Sequence, residues 1–124
     1  MYDALPARTF RDLKVWQRSH QLTLRVYALT ATFPRHETFG LASQMRRSAA
    51  SVPSNIAEGF ARRGRRDKAR VLNIASASLE ELRYQLILAA DLGYVPKDSL
   101  APDTAEVSRM LSSYERTILA SAHP

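Results

Sequence analysis

Apolar residues recur at three- and four-residue intervals along most of the chain, and no stretch alternates convincingly with period two, so every predicted element is a helix. The third of four segments is the most regular. Leu72, Ala75, Leu79, Leu82, Leu86, Ala89 and Gly93 keep a strict 3-4 alternation. Leu41, Met45, Ser48/Ala49, Val52, Ile56 and Phe60 form the line of the second segment, and Val107, Met110/Leu111, Tyr114 and Ile118 that of the fourth. Pro34, Gly64, Gly93 and Pro96 punctuate between them. The predicted helices run over about 10–33, 40–63, 66–92 and 100–121 within one domain, 1–124. Their mostly short connections favour antiparallel neighbours in an all-α bundle.

The first segment carries two apolar lines. Thr9, with Asp12 three residues on, reads as its capping box. Leu13, Trp16, His20, Leu24, Tyr27 and Ala31 fall on one stripe, while Val15, Leu22, Val26, Leu29 and Phe33 lie nearly opposite at 100° per residue. A helix in a monomeric bundle needs one apolar face. The second stripe is therefore expected to meet another subunit, unless the bundle wraps both.

The second segment is rich in small residues at its centre and contains Pro53, which predicts a kink near Ala49–Pro53. Ser51 or Ser54 is a candidate to satisfy the carbonyl left without a donor. Ser51, Ser54, Asn55 and Glu58 share a face and are expected to form a structural polar cluster that fixes helix register.

Composition narrows the functional classes. In 124 residues there are 18 Lys+Arg, 12 Asp+Glu and no Cys. Thiolate zinc sites, Fe–S clusters and cysteine nucleophiles are thereby excluded. No export signal or membrane-length apolar run is visible, so a cytoplasmic protein without membrane association is expected. Residues 1–70 carry 14 basic against 5 acidic residues, and residues 71–124 carry 4 against 7. Six cations fall within nine residues: Arg62, Arg63, Arg65, Arg66, Lys68 and Arg70, opposed by Asp67. Such a run is either a solvated interhelical turn or a surface for phosphate or an acidic partner.

Catalytic constellations are missing. His20 lies on a helix stripe and reads as a core or interface histidine, His36 falls in a loop, and His123 is next to the last residue. No Glu is followed three residues later by His, as inward-facing di-metal bundles require, and no glycine-rich phosphate loop is present. No cofactor, metal site or enzymatic activity is expected.

Three stretches carry a family likeness. They are Asp12-Leu13-Lys14-Val15-Trp16-Gln17 continuing to Phe33-Pro34; Phe39-Gly40-Leu41 through Gln44-Met45-Arg46-Arg47-Ser48-Ala49 into Ser51-Val52-Pro53-Ser54-Asn55-Ile56-Ala57-Glu58-Gly59; and Ala75-Ser76-Ala77-Ser78-Leu79-Glu80-Glu81-Leu82 ending at Leu92-Gly93-Tyr94. In these the chain resembles the small bacterial four-helix proteins encoded in intervening sequences of 23S ribosomal RNA genes. Ala77 stands where that family usually has Gly, and Gly64 replaces its usual Ser/Thr cap, leaving the turn among the arginines less well fixed. The resemblance implies a left-handed, antiparallel, up-down-up-down four-helix bundle assembled as a homopentamer. A related branch, the accessory proteins of diversity-generating retroelements, is a basic pentamer that binds nucleic acid and a reverse transcriptase.

The function expected is thus a non-enzymatic homo-oligomer. It would bind RNA or DNA backbone through Arg62, Arg63, Arg65, Arg66, Lys68 and Arg70, with Arg46 and Arg47 as auxiliaries and a protein partner as a further possibility. The alternative is an assembly module without nucleic-acid binding.

Overall fold

The computed structural model describes residues 6–120. After a 3-10 turn over Phe10–Asp12 come four helices, α1 (Lys14–Thr30), α2 (Leu41–Ala61), α3 (Arg65–Asp91) and α4 (Ala101–Leu119), with a second 3-10 turn at Arg35–Glu37. There is no strand among the described residues. Each helix packs on the next and α4 closes on α1, while the diagonal pairs stay apart. With short connections, that adjacency is an up-down-up-down bundle. No helix among the described residues is long and apolar enough to cross a membrane.

The four apolar lines meet in one core. Every member of the α3 line from Leu72 to Ala89 is buried, together with Leu41, Met45, Ala49, Val52 and Ile56 of α2 and Val107 and Leu111 of α4. α3 ends as its glycine predicts. Gly93 takes φ 82°, and the N–H groups of Gly93 and Tyr94 donate back to the carbonyls of Ala90 and Ala89.

The Thr9–Asp12 capping box forms, but it closes the 3-10 turn rather than α1. Leu13 is extended (φ −77°, ψ 125°), so the predicted long first helix divides there.

The two stripes of α1 exchange the roles expected of them. Val15, Leu22, Val26 and Phe33 are buried in the chain's own core, and Leu29 packs against it. A second subunit cannot cover residues already inside, so the expectation of an interface there is corrected. The stripe left outside holds His20, Leu24 and Tyr27, with Leu24 56% exposed. His20 is accordingly no core residue; its ring lies stacked on Trp16, 5.0 Å between centroids. Arg18 and Arg25, on one flank of α1, pair with Glu106 and Asp103 of α4.

α2 runs unbroken through Pro53, which is buried. Proline has no N–H for the carbonyl of Ala49, four residues back. The donor comes from neither Ser51 nor Ser54. It is the Thr23 hydroxyl of α1, 3.1 Å from the Ala49 carbonyl oxygen and 2.9 Å from that of Ser19.

Candidate nucleic-acid interface

The cationic run spans the connection between α2 and α3. Arg62, Arg63 and Gly64 link the helices, and Arg65, Arg66, Lys68 and Arg70 lie in the first turns of α3. Four of these cations, Arg62, Arg65, Lys68 and Arg70, are engaged within the chain. Arg62 donates to Glu58 at 2.5 Å and to Asp67 at 3.4 Å. Its hydrogen bond to Glu58, and then the charge of Asp67, hold the guanidinium pKa above its ordinary value. Arg70 donates to Asp67 through two nitrogens, at 2.9 and 3.1 Å.

Lys68 Nζ donates to the carbonyls of Phe60 (2.8 Å) and Gly59 (3.2 Å). These are among the last carbonyls of α2, at the negative end of its dipole, and that of Gly59 also accepts the Arg62 N–H at 3.2 Å. Gly59 brings the backbones close, since a Cβ there would lie 3.3 Å from the Leu72 side chain. The turn is therefore well tied although Gly64 supplies no capping side chain, which corrects the looser turn expected. Arg63 and Arg66 remain exposed and pair with no described residue.

Arg46 and Arg47 do not join this cluster. They precede Arg62 by at least 15 residues of α2, or about 22 Å of helix rise. Arg46 is bound to α1: its Nε donates to the Thr30 hydroxyl at 2.8 Å, Nη2 to the Tyr27 carbonyl at 3.2 Å, and its guanidinium lies 4.8 Å from the Tyr27 ring centroid. Arg47 is exposed and donates to Ser43.

The expected polar cluster divides. Ser51 and Asn55 come together, with Asn55 Nδ2 donating to the Ser51 carbonyl at 2.8 Å and to its hydroxyl at 3.0 Å. Ser78 of α3 completes the group, 2.8 Å from the Ser51 hydroxyl. Ser54 is exposed, and Glu58, also exposed, turns to Arg62 instead. His123 lies outside the described residues.

A second polar group escaped sequence reasoning. Glu37 Oε1 accepts the Leu41 N–H at 3.0 Å, capping α2, and Oε2 accepts the Tyr94 hydroxyl at 2.8 Å. The Leu41 bond first, and the Tyr94 bond second, hold the Glu37 carboxyl below its ordinary pKa. The same bond raises the Tyr94 phenol above its ordinary value. Nothing local signals this pair, whose partners stand 57 residues apart.

The family model described as 23S rRNA-intervening sequence protein matches residues 11–113. Among solved structures, the chain is similar to a protein of unknown function from the S23 ribosomal protein family of Bacteroides thetaiotaomicron. That likeness has 27% identity and a TM-score of 0.76, covering 83% of this chain and 96% of the other. No curated protein matches the chain.

Proposed function

The chain belongs to the 23S rRNA-intervening sequence protein family, and from that premise we propose that it is a non-enzymatic, homo-oligomeric bundle whose arginine-rich end binds RNA or DNA backbone. One observation carries the reading. Between positions 58 and 70 six cations face two acids, and Arg63 and Arg66 stand exposed without partners. Guanidinium groups so placed contact phosphate through forked donors, and a field of one sign attracts a polyanion whatever its base sequence.

A pentamer, as the family resemblance implies, would repeat the cluster five times, and a cytoplasmic location is part of the same proposal. A protein partner belongs to the same proposal, because the accessory proteins of retroelements, a branch related to the family, bind a reverse transcriptase. The surface through which copies meet is the outward stripe of α1, around His20, Leu24 and Tyr27, because it is an apolar face that the bundle leaves uncovered. A second reading, assembly without nucleic acid, is favoured by the internal engagement of Arg62, Lys68 and Arg70.

Salt separates the two. Binding to labelled structured RNA, single-stranded DNA and duplex DNA should weaken by orders of magnitude between about 50 and 200 mM salt, and be lost in Arg63→Glu/Arg66→Glu. Absence of binding at about 50 mM leaves the assembly reading.

A further inference from the structure

The turn before α2 presents one aromatic ring to solvent, that of Phe39, 95% exposed. The turn itself is tied down. The Gly40 N–H donates to the Glu37 carbonyl at 3.0 Å, while the Glu37 carboxylate accepts the Leu41 N–H and the Tyr94 hydroxyl. A ring held out by such a turn loses little backbone freedom when something covers it. Phe39 continues the uncovered face of α1, sharing a shallow depression with Tyr27 and Arg46. On another side of the bundle, where α3 ends and α4 begins, a cavity of about 580 Å³ opens. Leu86, Ala90 and Ala101 line it, as does Ile87, itself 61% exposed. That is the size and the apolar lining of a binding site.

Ring and cavity lie at one height. Ser51 bonds Ser78, and α2 runs antiparallel to α3, so Phe39 stands level with about residue 90. The Thr23–Ala49 bond likewise puts Tyr27 level with about residue 84, and Tyr84 is exposed on α3 one turn before Ile87. A rotation about an axis along the helices carries one copy onto the next without a change of height. It can therefore bring Phe39 to the neighbour's cavity and Tyr27 to the neighbour's Tyr84 together.

Charge selects this pairing over its rival. Residues 35–47 hold three Arg against Glu37, whereas residues 80–98 hold four acids against Arg83 and Lys97. A two-fold contact through the Phe39 face would set like charge against like, and the head-to-tail contact opposes unlike charges.

We infer that copies of this chain assemble head to tail, the Phe39 ring of one copy filling the α3–α4 cavity of the next. The inference rests on the homo-oligomer reading above and names the two different surfaces that meet. Phe39 and the arginine-rich turn lie at opposite ends of α2, so the contact leaves the arginines uncovered. A ring closed in this way gathers every arginine turn on one rim.

The chain has no Cys, so single cysteines report contacts between copies. Thr38→Cys and Asp91→Cys, on exposed positions beside the ring and in the cavity lining, leave Phe39 in place. Co-expressed and treated with a short bismaleimide, the two should give a covalent dimer containing one of each, and neither variant alone should give one. A dimer from Thr38→Cys alone would mean that the Phe39 face meets itself, and would overturn the inference.

Sedimentation supplies the second arm. Phe39→Ala should keep the melting curve of wild type and raise the dissociation constant of the oligomer roughly thirtyfold or more, as loss of a buried aromatic anchor does. Ala101→Trp, which fills the cavity from an exposed position, should do the same with Phe39 intact. An oligomer whose mass neither variant changes overturns the head-to-tail contact alone. Loss of mass in Phe39→Ala without the mixed cross-link overturns it too, because the ring then anchors elsewhere. A wild-type chain that stays monomeric overturns the homo-oligomer reading and this inference with it.

Discussion

The two long faces of α1 differ in a way that hydrophobicity does not anticipate. The inward face carries Val15, Leu22 and Val26, leading to Phe33, but also Ser19, Thr23 and Thr30, all buried. The outward face carries His20, Leu24 and Tyr27, of which Leu24 is as apolar as Leu22 inside and Tyr27 is larger than the inward valines. Hydroxyls decide the matter. Ser19 donates to the Trp16 carbonyl at 2.9 Å and Thr30 to that of Val26 at 2.7 Å, so each is satisfied on its own helix and can enter a dry core. Thr23 goes further and reaches the Ala49 carbonyl that Pro53 leaves without a donor. A face dotted with Ser and Thr can thus be the core face here, and Thr23 closes the one hydrogen bond, at the Ala49 carbonyl, that an aliphatic residue would leave open.

The contrast breaks first at a pair of leucines. Leu22→Ala should cost about 2–5 kcal/mol in urea unfolding, as truncations in a close-packed core do. Leu24→Ala should stay within about 0.5 kcal/mol for the isolated bundle. The opposite ranking would return the Val15 stripe to the surface. Leu24→Asp, followed by sedimentation, asks whether the outward face is where copies meet, and an unchanged assembly mass would refute that assignment.

A sharper probe is Thr23→Val, which keeps shape and branching while removing the hydroxyl. Because the Ala49 carbonyl then stays buried without its donor, a loss of about 1–3 kcal/mol is expected. A neutral result would mean that the carbonyl finds another partner.

The basic turn offers the same comparison between engaged and unengaged groups. Lys68→Met should lower stability by about 1 kcal/mol, since the Phe60 carbonyl loses its donor and that of Gly59 keeps only the Arg62 N–H. Arg63→Glu/Arg66→Glu should leave the melting curve nearly unchanged while abolishing binding. Equal effects of both on stability would show that the two classes are not distinct.

The smallest effect lies where the inward stripe ends. There the Phe33 ring lies 5.2 Å from Tyr94, whose hydroxyl bonds Glu37. The Glu37 pKa is lower folded than unfolded, so its contribution is full above the ordinary carboxylate value of about 4.3 and fades as pH falls through the lower folded value. Glu37→Gln should flatten that part of the acid limb in urea midpoints taken from roughly pH 6 to 3. A limb as steep as wild type would place the acid sensitivity elsewhere, as at Asp12, held low by the Thr9 and Arg8 N–H groups.

Much of this was legible along the chain. The α3 line is buried residue by residue as its 3-4 spacing predicts, and Gly93 ends that helix. The capping box at Thr9 and Asp12 forms too, although Leu13 breaks the helix it was expected to begin. The cationic run is visible as a run, but its division into paired and unpaired members is not. Glu58 reads with Ser51 and Asn55 on a helical wheel, and then leaves them for Arg62 one turn on.

By itself, the sequence determined four helices, the apolar line of each and the placement of positive charge, because helical periodicity and charge density are properties of neighbouring residues. Tertiary structure decided which face of α1 turns inward and which cations stay exposed. Those outcomes depend on donors and acceptors brought from far along the chain: Thr23 to Ala49 across 26 residues, Ser51 to Ser78 across 27, and Glu37 to Tyr94 across 57.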